Sequence, residues 1–354
     1  MTTSAPASNL LAVAASLGLF ALTIYLLVVG EGVFIPLVLA IFIACLIIAL
    51  SHMVERIKVA GKQLPGWFCM VAAIVIFLLA IGLIVQLIAG NVRDVVDAAP
   101  QYQERLQDLL ANINTTMTSL LPLSGPVNLT TLMEGLDLRS LAGRFAGALQ
   151  SIAGNTFLIL LYVAFLLLEY RTFDRKLAAM FPAKERLDRV RSTLAEIGQK
   201  TETYVAVKTV VSLLVGGISY VALLIFGVDF AGFWALLIFI LNFIPYIGSL
   251  IAVLFPTVLS LLQFGSLGIF AMVLTVLAGA QVFVGNVLEP RLMGKSLNLS
   301  PLIILIALSV WGALWGVTGM ILSVPITVIG TIILAQFPQT RPIAVFMSER
   351  GDVR

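Results

Sequence analysis

Long apolar runs separated by short charged clusters set the pattern of this chain. A helix needs roughly 20 apolar residues to cross a hydrocarbon core. Residues 10–29, 33–50, 65–90, 152–168 and 210–228 come close to that length and predict five spans. Two uncharged stretches remain, 230–288 with 59 residues and 296–340 with 45. The first is longer than two straight spans need, and Pro245, Gly248, Pro256 and Gly265 interrupt it; it predicts a broken or re-entrant hairpin followed by a full span. Gly312, Gly316, Gly319 and Pro325 interrupt the second, which reads as two spans or another broken pair. The expected fold is all-α: a polytopic helical membrane protein with about eight transmembrane segments, broken or re-entrant in the C-terminal half.

Between the apolar runs the pattern changes period. Val92, Val95, Val96, Ala99, Tyr102, Leu106, Leu109, Leu110 and Ile113 recur at helical spacing, so residues 91–151 hold an amphipathic helix rather than a formless loop. It reads as a helix lying on the bilayer or packed on its own spans, with a partner-binding helix as the alternative. Leu123-Ser124-Gly125-Pro126 predicts a turn before the next span. A second apolar face, Leu187, Val190, Leu194, Ile197, Thr201, Tyr204 and Val205, lies among Lys184, Arg186, Arg189 and Arg191, and predicts a basic elbow leading into the fifth span. Its charges fit a solvated face or a contact to anionic lipid heads. The chain thus divides into three N-terminal spans (1–90), an extracytoplasmic amphipathic segment (91–151), a fourth span (152–168), a cytoplasmic elbow (169–208), a C-terminal core with broken helices (209–340) and a cytoplasmic tail (341–354).

Composition agrees with the membrane reading: 60% of residues are hydrophobic and 11% charged, against about a quarter charged in soluble domains. The net charge of +3 would suggest a nucleic-acid partner in a soluble protein, but the basic residues cluster in a few loops, as membrane topology demands, and no nucleic acid is expected. Residues 51–64 carry Arg56, Lys58 and Lys62, and 169–208 carry nine basic residues, whereas 91–151 carry four Arg and no Lys. Cytoplasmic loops retain Lys and Arg, so the first two face the cytoplasm, the third faces outward and the N-terminus starts inside. No Lys or Arg precedes the first apolar run and no small-residue cleavage pattern follows it, so it reads as a span rather than a cleaved signal. Cys45 and Cys69 lie inside apolar runs and predict neither a disulfide nor a metal site.

All 39 Lys, Arg, Asp and Glu residues fall in loops or at segment edges as these segments are drawn, and the only histidine is His52, in a loop. Proton and ion carriers commonly bury a titratable group, so the pattern argues against a deep carboxylate relay. Glu31, Asp229, Glu289 and Arg291 are the ionisable residues nearest the membrane. The polar groups inside the apolar stretches are neutral: Asn242, Tyr246, Ser249, Gln281 and Asn286. They fit either a path for a neutral, hydroxyl-rich solute or ordinary bonds between helices. In Asn242-Phe243-Ile244-Pro245-Tyr246-Ile247-Gly248 the proline removes an N–H and the glycine permits unwinding, which frees backbone groups of the kind that transporters place at substrate sites; a bare kink is the alternative. The expected path residues are Asn242, Pro245, Gly248, Ser249, Pro256, Gln281 and Asn286, and Gly248→Leu is expected to fold but stop transport. Glu289-Pro290-Arg291-Leu292-Met293-Gly294-Lys295 caps a long span with a charged turn in which Glu289 and Arg291 suit an ion pair or gate, with a plain anchor as the alternative. The run 319–325 loosely echoes 248–256, as a distant internal repeat would.

Residues 242–248, 285–294 (Gly285 to Gly294), 299–301, 311–319 and 323–325 together resemble the autoinducer-2 exporter family of bacterial permeases. The resemblance extends to Pro36, to Pro100-Gln101-Tyr102 and to the tail Pro342-Ile343-Ala344-Val345. It implies a multi-pass protein of the bacterial inner membrane and a homo-oligomer such as a pentamer. It also implies export of a small neutral polar molecule, first of all the quorum-sensing signal autoinducer-2, with sodium (lithium)/proton antiport through Glu289 or Asp229 as the alternative. No nucleotide-binding motif, cofactor or metal site is expected, so ATP is not the direct energy source. An intramembrane enzyme would need a base beside Ser249, and the sequence offers none near it.

Overall fold

The structure, a computed structural model, describes residues 5–56, 58–59, 62–120, 138–294 and 298–352. The turn expected at 123–126 lies outside the described residues. Helices dominate: α1 (Ala5–Val29), α2 (Glu31–Glu55), α3 (Gly66–Leu120), α4 (Leu138–Met180), α5 (Lys184–Ile225), α6 (Ala231–Leu241), α7 (Ile247–Phe264), α8 (Leu267–Phe283), α9 (Glu289–Met293), α10 (Pro301–Ala335) and α11 (Arg341–Met347). A π-helical turn, Val284–Leu288, joins α8 to α9. A two-residue antiparallel ladder pairs β1 (Lys58–Val59) with β2 (Lys62–Gln63) in the basic loop after α2. The fold is all-α and polytopic. Six described helices are long and apolar enough to cross a membrane, or seven with the bent pair 156–170 and 172–180, where about eight spans are expected from sequence.

The difference lies in how the segments are cut. The third span and the amphipathic stretch after it form one helix, α3, whose 55 residues extend about 82 Å at 1.5 Å per residue. The elbow and the fifth span likewise form one helix, α5. α3 runs on through Gly90-Asn91 and encloses Pro100, and α5 is continuous across its own junction, so neither change of sequence period ends a helix. Whereas Pro256 and Gly248 lie inside unbroken α7, the stretch 230–288 breaks around Pro245 and at Gly265. It yields α6, at 11 residues too short to span, then α7, then α8 continued through the π turn into α9.

The described chain divides into two compact units, one of Met1–Ala44, Phe157–Ile197 and Asn298–Arg354, the other of Cys45–Thr156 and Gly198–Leu297. In the first unit the dihedral angles of α10 break at Trp315 (φ −128°) and Gly316 (φ 60°). The two arms turn back so sharply that a β-carbon on Gly319 would stand 1.9 Å from the Trp311 carbonyl oxygen. The Trp315 indole donates to the Leu27 carbonyl of α1 at 3.0 Å. α11 is fastened to the start of α10 by Ser300 N–H to Met347 O at 3.0 Å.

In the second unit α5 is the central strut. Thr201, Tyr204, Val205, Lys208, Val211, Ser212, Val215, Gly216 and Ser219 form its buried stripe. It closes in a Schellman motif, with Gly227 at φ 69° and Val228 N–H donating to Leu223 O at 2.9 Å. Close approach requires small residues here: a β-carbon on Gly216 would lie 3.1 Å from Ala235 O in α6.

Candidate functional site

Helices α6 and α7 form a hairpin whose two ends meet. Gln263, near the end of α7, donates to Gly227 O at 2.9 Å and accepts from the Asp229 N–H at 2.8 Å. Beside it Tyr102 of α3 donates to Asp229 Oδ2 at 2.5 Å, and Arg105 donates to Gln263 O at 3.0 Å. Burial first, then the hydrogen bond to Asp229, pushes the Tyr102 phenol above its ordinary range. Phe230, which opens α6, sits in the left-handed region at φ 58°, a conformation that costs a non-glycine residue about 1–3 kcal/mol. Its ring meets the edge of Tyr102 at 6.5 Å.

The hairpin tip is a strained turn. Ile247 N–H donates to Pro245 O at 2.6 Å across Tyr246, whose φ of 60° and ψ of −61° make the rarer, strained kind of γ-turn. Strain therefore falls on Tyr246, one of the neutral polar residues within the apolar stretches. Gly248 lies just inside α7, and its missing β-carbon would stand 1.8 Å from Leu241 O. The expectation that it permits unwinding needs correction: it permits backbone contact between the arms, so Gly248→Leu is not a substitution the hairpin can absorb. Ser249 donates back to Tyr246 O at 2.8 Å within the same turn.

At the tip Asn242 is buried and donates through Nδ2 to Ser212 Oγ of α5 at 3.0 Å. Gln281 of α8 donates through Nε2 to Asn242 Oδ1 at 2.8 Å. Three helices thus meet through neutral polar side chains, and Gln281 Oε1 is buried without a hydrogen-bond partner among the described residues. Such an acceptor is costly unless something donates to it.

One helical turn from Ser212 along α5, Lys208 pairs with Glu289 at 2.6 Å, with side-chain exposures of 7% and 19%. This corrects two expectations. Lys208 is buried rather than an edge charge, and Glu289 takes it as partner instead of Arg291, which is exposed. On the opposite side of Lys208, Tyr204 is buried and its hydroxyl has no partner among the described residues. At this end of the unit His52 Nδ1 lies 3.0 Å from Glu202 Oε1.

The expected residues therefore separate. Asn242 and Gln281 come together, Pro245 and Gly248 shape the tip, and Ser249 serves its own turn. Pro256 is buried inside α7. Asn286, in the π turn, is exposed, as is Pro290 at the start of α9, while Gly294 ends α9 at φ 57°. Ser212, Lys208 and Tyr204 were missed. Their signal is the spacing 204, 208, 212 along one buried stripe.

Two helical arms meeting backbone to backbone, a polar tip between apolar helices and a half-buried ion pair describe a membrane transport core rather than a soluble active site. The sequence pattern of the AI-2E family transporters matches residues 17–339. The chain belongs to that family. A protein of Escherichia coli named AI-2 transport protein TqsA is 31% identical over 333 residues, 90% of each chain. A putative transport protein of Haemophilus influenzae is 30% identical over 330 residues, 90% of this chain and 91% of its own. One of Borreliella burgdorferi is 38% identical over 190 residues, 53% of this chain and 52% of its own. As an AI-2E family transporter with several membrane-length apolar helices, the protein is multi-pass.

Proposed function

We propose that this AI-2E transporter exports a small, neutral, polar molecule, first of all autoinducer-2, across the bacterial inner membrane, with its N-terminus in the cytoplasm. In this reading α6 and α7 form a re-entrant hairpin entered from the outer side, and its tip contacts the solute. The observation that carries the reading is the Ser212–Asn242–Gln281 chain, with the Gln281 carbonyl oxygen buried and without a hydrogen-bond partner among the described residues. A solute hydroxyl is a donor of the kind that this oxygen lacks, and all three side chains are uncharged, which favours a neutral solute. The E. coli relative named for AI-2 transport supports that choice of substrate.

A second reading is sodium (lithium)/proton antiport, favoured by the half-buried carboxylate of Glu289 paired with buried Lys208. Both readings include a homo-oligomer, which cross-linking in native membranes would register. Flux of labelled autoinducer-2 in proteoliposomes, with and without imposed proton and sodium gradients, separates them. Movement of the signal that Gln281→Leu abolishes supports export. A sodium-driven pH change that Glu289→Gln abolishes, with no signal flux, supports antiport instead.

A further inference from the structure

Two polar layers are stacked along the facing sides of α5 and α8. Ser212 meets Asn242 and Gln281 in one, and Lys208 meets Glu289 in the next. The π turn aligns them. Glu289 N–H donates to Val284 O, five residues back. In an unbroken α-helix a residue eight positions after Gln281 points about 80° away from it, and the extra residue of a π turn reduces that to roughly 20°. Glu289 is thereby turned onto the Gln281 face and toward Lys208. Four residues earlier on the same buried stripe of α5, Tyr204 holds a buried hydroxyl with no hydrogen-bond partner among the described residues.

We propose that Lys208, Glu289 and Tyr204 form a latch that shuts the solute path at the His52–Glu202 end, and that Glu289 exchanges Lys208 for the Tyr204 hydroxyl when the path opens. The proposal rests on the reading that the path runs past Asn242 and Gln281. The Glu289 carboxylate, half-buried against the buried Lys208, needs a donor in every state it visits, because a charge left unpaired away from water is costly. Lys208 supplies the donor in the structure described. Its flexible stem lets the ammonium withdraw toward water, and the phenol one turn away supplies a replacement O–H. A structural ion pair alone accounts for neither the unpartnered Tyr204 hydroxyl nor the π turn that aims Glu289.

The test uses the full chain with Cys45→Ala and Cys69→Ala, the free cysteines, and Ser212→Cys as the reporter. A membrane-impermeant maleimide is applied to inside-out and right-side-out vesicles without solute, so that failure to transport autoinducer-2 leaves the result interpretable. The expected result is slow labelling in the parent and labelling faster by about tenfold or more in Lys208→Met and Glu289→Gln, from the inside-out face only. The charge-exchanged pair Lys208→Glu with Glu289→Lys returns labelling to the slow rate. Should a single variant not run as a monodisperse species, the exchanged pair carries the test. Fast labelling of that pair, or slow labelling of both folded single variants, overturns the latch. Tyr204→Phe is expected to cost little thermal stability in the parent and distinctly more in Lys208→Met, where Glu289 depends on the phenol. Equal costs in the two backgrounds overturn the exchange.

Discussion

The β-carbon that Gly248 lacks would stand 1.8 Å from the carbonyl oxygen of Leu241, so the two arms of the hairpin touch backbone to backbone. No side-chain rearrangement relieves that overlap, because the obstructing atom belongs to the main chain. Gly248→Ala is expected to cost about 1–3 kcal/mol, as overpacking of a close contact does, and to lower the thermal midpoint in detergent. Ser249→Ala, which removes only a local bond to Tyr246 O, should leave the midpoint within a degree or so of the parent. Equal midpoints for Gly248→Ala and the parent would show that the arms separate freely.

Gln281→Leu removes the donor to Asn242 Oδ1 and the unpartnered Oε1 together, whereas Asn242→Leu strands both Ser212 and Gln281. The expected costs differ accordingly. Asn242→Leu should lose about 1–3 kcal/mol, the penalty of unsatisfied buried polar groups, and Gln281→Leu much less, while both abolish solute flux. A stability cycle over the two substitutions measures their coupling. Additive effects would mean that the bond contributes nothing to folding.

Much of this was legible in the sequence where the physics is local. Pro245 and Gly265 marked where the stretch 230–288 breaks, while Pro256 did not, and the neutral character of Asn242 and Gln281 pointed to the tip. Helix continuity was less legible, since α3 runs on through Gly90-Asn91 and Pro100 where the sequence pattern changes period, and α5 runs on through the end of the basic elbow. Lys208 was hidden by its position: it closes a basic segment in sequence, and only the 3.6-residue stripe through Tyr204, Lys208 and Ser212 gives it away. Its partner Glu289 lies 81 positions along the chain, a pairing that no spacing rule anticipates.

Trp315→Phe keeps the ring in the broken α10 but removes the N–H that reaches Leu27 O. A buried hydrogen bond to a carbonyl contributes about 0.5–1.5 kcal/mol net, and the expected loss of stability lies in that range. The effect should vanish when α1 is absent, because the acceptor belongs to it. Comparing thermal midpoints of Trp315→Phe with and without residues 1–29 checks this. An undiminished effect in the shortened chain would place the role of the indole elsewhere.

Tyr102 donates to Asp229 at the base of the hairpin, and burial together with that bond raises its phenol above the ordinary range. The sign follows directly. Unfolded chains ionise this phenol near pH 10, while the folded protein keeps it neutral. The stability it contributes is therefore complete below about pH 10 and is lost as pH rises from there through the folded value. Thermal midpoints across about pH 9 to 11 should fall more steeply for the parent than for Tyr102→Phe, whose side chain cannot ionise. At neutral pH the same variant should be less stable, having lost its bond to Asp229. Parallel slopes across the alkaline range would mean that the phenol ionises as readily in the folded protein as in the unfolded one, and that the clasp between α3 and the hairpin does not hold it.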